Sequence, residues 1–93
     1  MIEKIEKELT VVNKKGLHAR PAALLVGIVE KFNVNVTLTK GDEKINGKSI
    51  MGILMLAAVE GTVLKVTAEG DQAAAAMQEL EKFFSKQDEE LSL

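Results

Sequence analysis

Apolar residues recur at two different intervals along this chain. The places where the interval changes constrain the fold more than any other feature of the sequence. Residues 2–12 carry Ile5, Leu9 and Val11 on one period-two face and Glu6, Glu8 and Thr10 on the other, the pattern of a strand with one buried side. After a polar loop at residues 13–17, Ala22, Leu25, Ile28, Val29 and Phe32 recur at helical spacing and predict a helix within residues 19–32. Val34, Val36 and Leu38 then alternate with Asn35, Thr37 and Thr39, and Gly41-Asp42 turns the chain towards Lys44-Ile45-Asn46, which predicts a hairpin. Ser49 precedes an apolar run at residues 50–56. Periodicity alone does not separate a short helix from a buried strand there. The capping serine and the Leu and Met content favour a helix. Residues 62–68 alternate again, with Leu64, Val66 and Ala68 on one face. Asp71 is the expected N-cap of a long amphipathic helix marked by Ala73, Ala76, Met77, Leu80 and Phe84. The acidic tail after Gln87, residues 88–93, is expected to fray.

The predicted order is β-α-β-β-α-β-α. Strands that alternate, rather than run wholly apolar, leave one sheet face wet. That favours an antiparallel sheet with all helices on the other face, a two-layer sandwich of the α+β class. With 93 residues the chain is read as a single domain, 1–93. A core of that size leaves little room for a deep cleft, so a reactive group is expected near the surface.

Composition removes several classes of function. Without cysteine there is no disulfide, thiol nucleophile or cysteine-held metal. A formal net charge of -2, with no Tyr or Trp and three Phe, argues against nucleic-acid binding. The N-terminal MIEKIEKEL has no continuous apolar run, and the longest apolar stretch, residues 50–59, is too short to cross a bilayer. The expectation is a cytoplasmic protein without membrane insertion.

One side chain titrates near neutral pH when unperturbed, His18. It follows a glycine-containing loop where the first helix is expected to begin, with Arg20 and Pro21, the only proline, just after it. A helix start presents unbonded N–H groups and the positive end of the macrodipole. That field disfavours a protonated ring and so favours the neutral, nucleophilic imidazole. It also favours the phosphate that such a ring could accept, and Arg20 can add charge-assisted bonds to the phosphate oxygens. Lys14 and Lys15 add positive potential. The plain alternative is that a histidine at a helix start is a cap or a surface residue. A metal site has less support, because one His with no Cys or second His lacks the clustered ligands zinc needs.

The segment Gly16-Leu17-His18-Ala19-Arg20-Pro21-Ala22 resembles the active-site signature of the HPr family, the histidine-containing phosphocarriers of the bacterial phosphotransferase system. Gly47-Lys48-Ser49-Ile50-Met51-Gly52 resembles that family's regulatory-serine region. The resemblance implies an open-faced sandwich with strand order 1-4-2-3 and three helices on one face. It also implies a phosphoryl carrier with a covalent phosphohistidine intermediate, not a stand-alone turnover enzyme, and one that needs no cofactor or metal. His18 would accept phosphate on Nδ1 from phosphorylated Enzyme I and pass it to a histidine of a IIA protein or domain. Arg20, with backbone N–H groups near Ala19 and Arg20, would hold the phosphate. Ser49 would be the target of HPr kinase/phosphorylase where that enzyme exists, although it reads equally as a plain N-cap. The partner-docking patch would comprise Ala23, Gly27, Ile50, Met51 and Leu54. Gly27 and Glu30 depart from the basic residues some members carry on the first helix, which argues against a strongly positive docking face. A carrier that presents one face to several partners is expected to be a monomer. Two other readings stand beside this one: a nitrogen-type regulatory branch of the same family, and a small-molecule-binding regulatory domain with a merely structural His18.

Overall fold

A computed structural model describes residues 3–91 of the chain. Its elements are β1 (Glu3–Thr10), α1 (Ala19–Glu30), β2 (Asn35–Lys40), β3 (Glu43–Asn46), α2 (Ile50–Met55), β4 (Val63–Gly70), α3 (Ala73–Phe84) and α4 (Asp88–Leu91). The four strands form one antiparallel sheet in the order β1-β4-β2-β3, as the resemblance implied.

Register explains why alternation in the sequence becomes a single apolar face. Leu9 lies opposite Leu64, and Ile5 opposite Ala68. Ala68 is in turn opposite Val36, and Val66 is opposite Leu38, which faces Ile45. A slip of one residue would turn every one of these side chains to water. The helices cover this face, and Leu25, Leu38, Ile53, Leu56, Leu64 and Leu80 are fully buried between the layers. Each contributes about 1.5–3 kcal/mol of apolar transfer free energy. Lys7 sits on the edge strand, and its Nζ reaches Glu81 of α3 at 2.8 Å. A charge held this way on an outer strand discourages edge-to-edge pairing with another sheet. Among the described residues, no helix is long and apolar enough to cross a membrane.

Three expectations change. The helix expected to reach Phe32 ends at Glu30, and the amides of Lys31 and Phe32 close it with bonds to the carbonyls of Ile28 and Val29. The N-cap of α3 is Gln72 rather than Asp71, and its side chain makes no cap bond. Both side chains are engaged elsewhere, because this junction packs against the turn after α1. Gln72 Oε1 accepts from the Asn33 amide at 2.5 Å, and Asp71 Oδ2 accepts from Asn33 Nδ2 at 3.3 Å. The approach is so close that a Cβ on Gly70 would lie 2.7 Å from the Asn33 carbonyl oxygen. Finally, the tail expected to fray forms the short helix α4 over Asp88–Leu91, with Leu91 buried. The rest of that tail, residues 92 and 93, lies outside the described residues.

Candidate functional site

The loop at residues 13–17 is held in place by tertiary contacts. Gly16 has φ +68°, a backbone conformation that L side chains rarely adopt, and a Cβ there would stand 2.5 Å from the Ala58 carbonyl oxygen. That close approach lets the Leu17 amide donate to the same oxygen at 2.9 Å. The buried Asn13 donates from Nδ2 to the Gly16 carbonyl at 2.6 Å and ties the loop to itself. Ala58 is presented by an unusual turn. Ala57, just past α2, has φ +50°, and Lys40 Nζ caps the end of that helix through the Leu56 carbonyl at 2.8 Å.

This platform sets His18 as the N-cap residue of α1, with extended backbone angles and a side chain that makes no cap bond. Its backbone carbonyl accepts the first intrahelical bond, from Ala22 at 3.0 Å. The amides of Ala19 and Arg20 lie ahead of that bond in the first turn, and Pro21 carries no N–H. The ring is thus left over the helix end, with 41% of the side chain exposed.

The imidazole has a neighbour that the sequence reading missed. Asp88 Oδ1 lies 3.5 Å from His18 Nε2 and also accepts from Asn13 Nδ2 at 2.9 Å. Asp88 Oδ2 accepts from the Lys15 amide at 3.1 Å. The bond from Asn13, aided by the Lys15 amide and by His18, holds the Asp88 carboxyl below its usual value against the effect of partial burial. A cavity of about 50 Å³ beside the ring is lined by Lys15, His18, Arg20, Pro21, Asp88 and Leu91. Arg20 is exposed at its rim. The arrangement offers a ring edge, two first-turn amides and two cationic side chains to an incoming anion.

The second motif is placed as expected in its local geometry. Ser49 caps α2, its Oγ accepting from the Gly52 amide at 2.9 Å. Of the expected docking residues, Ala23 and Gly27 are exposed on α1, and Ile50 and Met51 are exposed on α2. Leu54 is half-buried and packs against the core. Met55 and Val59 are more than 60% exposed and were not anticipated. Met55 falls one helical turn after Met51, a spacing that was readable from sequence.

The chain is similar to known proteins over most of its length. Residues 5–86 match the family described as "PTS HPr component phosphorylation site". A phosphocarrier protein HPr from Xylella fastidiosa is 49% identical over 80 residues, covering 86% of this chain and 90% of the relative. The crystal structure of a phosphocarrier protein HPr from Bacillus anthracis superposes with a TM-score of 0.83 at 37% identity, covering 87% of this chain and 96% of that one. An HPr dimer from Thermoanaerobacter tengcongensis superposes with a TM-score of 0.72 at 39% identity, over 94% and 99% of the two chains. With a matched segment that spans nearly the whole fold and carries the His18 loop, the chain belongs to the HPr family of phosphocarrier proteins of the phosphotransferase system.

Proposed function

We propose that His18 is the phosphoryl acceptor of this phosphocarrier, taking phosphate from phosphorylated Enzyme I and delivering it to a histidine of a IIA protein or domain in the cytoplasm. The observation that carries this reading is the half-exposed His18 ring at the N-cap of α1, free of any cap bond. In the neutral ring one nitrogen keeps a lone pair, which attacks phosphorus as the donor's bond to phosphorus breaks. The amides of Ala19 and Arg20 and the guanidinium of Arg20 then face the arriving oxygens. The family's membership in the phosphotransferase system supports the choice of partners. Ser49 is the proposed regulatory phosphorylation site, and Ala23, Gly27, Ile50, Met51 and Leu54 are the proposed docking residues.

The test is incubation with phosphoenolpyruvate and Enzyme I, followed by intact mass. The expected result is an acid-labile gain of one phosphate that is absent from His18→Ala. No gain on the wild-type chain with a competent Enzyme I, or the same gain on the variant, rejects the assignment.

A further inference from the structure

We propose that Asp88 is a positioning residue for phosphoryl transfer: it holds the proton of His18 on Nε2, aims Nδ1 outward, and stabilises the positive charge that the ring acquires when Nδ1 bonds phosphorus. The proposal rests on His18 being the acceptor. It concerns a residue just beyond the segment that matches the family, which ends at residue 86.

The geometry supplies the argument. Asp88 Oδ1 stands 3.5 Å from Nε2, and among the described residues it is the one carboxylate that lines the cavity beside the ring. A carboxylate accepts and does not donate, so the ring edge facing it presents N–H. The neutral imidazole then keeps its lone pair on Nδ1. As the Nδ1–P bond forms, the bond from phosphorus to the donor breaks, and its electron pair leaves with the donor. The Nε2 proton stays where it is, so the ring goes from neutral to cationic beside the Asp88 anion. On delivery to the next acceptor the sequence reverses and the ring returns to neutral. A carboxylate that orients a reacting imidazole and offsets its charge is a known catalytic arrangement.

Asp88 also repels the arriving phosphoryl oxygens, so the relative distances matter. The carboxylate touches the Nε2 side, whereas phosphorus bonds on the far nitrogen, one bond beyond the ring. The attraction to the ring therefore acts at the shorter range. Lys15 and Arg20 line the same cavity and offset the repulsion. The carboxylate is itself held in position. Asn13 and the Lys15 amide bond its two oxygens, and the buried Leu91 anchors the turn that carries it. Because Asn13 also bonds the Gly16 carbonyl, the acceptor loop and the C-terminal turn form one connected unit.

His18 is the only histidine, so its two ring nitrogens can be read without ambiguity by long-range proton–nitrogen correlation. In the wild type the Nε2–H tautomer is expected to dominate. In Asp88→Ala the ratio should move towards that of a free imidazole. Asp88→Asn keeps an acceptor for Asn13 and the ring but loses the charge, so it should hold the tautomer and still slow transfer. With phosphorylated Enzyme I as donor, both variants should lower kcat about threefold to tenfold with little change in KM, since the pair is only partly shielded from water. Asp88→Glu should recover most of the rate. Wild-type kcat in both variants, or an unchanged tautomer ratio in Asp88→Ala, overturns the role of Asp88 while leaving His18 as acceptor. A wild-type chain that takes up no phosphate removes both. The tautomer measurement needs no phosphate, so the two failures are distinguishable.

Discussion

Replacing Arg20 with alanine should slow phosphoryl transfer about tenfold or more, the scale on which charge-assisted donors to a developing charge act, while leaving the fold intact. Arg20 is exposed in the first turn of α1, so little packing is lost. Transfer kinetics equal to wild type, measured by rapid quench with phosphorylated Enzyme I, would take Arg20 out of the mechanism. Ala57 makes a different kind of prediction. Its φ of +50° costs an L residue what glycine avoids, and part of that gain is returned as backbone entropy. Ala57→Gly should therefore stabilise the protein by roughly 0.5–1 kcal/mol and raise Tm by about 2–6 °C, read by thermal denaturation. An unchanged or lower Tm would show that the strained turn is already relieved by Lys40. His18 was legible from sequence as a candidate because it is the only histidine and the segment around it resembles the signature of a known family. Ala57 was not, since a backbone dihedral at an exposed alanine leaves no mark on composition or period.

At the scale of elements, the turn α4 depends on one carboxylate. Asp88 has its carboxyl held below the ordinary value in the folded state, chiefly by Asn13. A group so shifted contributes its stability in full above the unfolded value, and loses it as pH falls through the depressed folded value. Acidification below about pH 4 should therefore release α4 from the acceptor loop before the rest of the molecule unfolds. The amide resonances of Lys15 and Leu91 should shift together in that range, and Asp88→Ala should lack the step. Independent titration of the two amides would show that α4 is not held through Asp88. This element escaped the sequence reading because DEEL after a lysine- and glutamine-containing stretch looks like a solvated acidic tail. Its order comes from one buried leucine and one carboxylate whose partners lie more than seventy residues earlier in the chain. Elsewhere the elements were legible. Ser49 caps α2 as its position before an apolar run implied, and the alternating strands all formed.

At the scale of the whole molecule, the docking role proposed for α2 requires one face that successive partners can share. The exposed Ile50, Met51, Met55 and Val59 give that face its apolar content. Ser49 lies beside them in the chain, at the start of α2. Ser49→Asp should accordingly weaken binding to Enzyme I at low ionic strength, with the difference shrinking as salt is raised, because exposed charges are screened. Calorimetric titration that gives equal affinities at low salt would remove the electrostatic switch. One of the similar solved structures is an HPr dimer, so the oligomeric state of this chain is to be measured alongside that titration.

Sequence by itself determined the strand faces, the order of elements as far as α3 and the candidate for the reactive side chain. Each of these is written in local spacing or in the rarity of one residue type. Tertiary structure decided what stands against that side chain. The Ala58 carbonyl that shapes the loop and the Asp88 carboxylate that faces Nε2 come from distant parts of the chain, and only the closing of the sheet and helices brings them to His18. Local pattern specifies which residues face inward, but distances between remote residues are set by packing, so the candidate acceptor was readable while the carboxylate beside it was not.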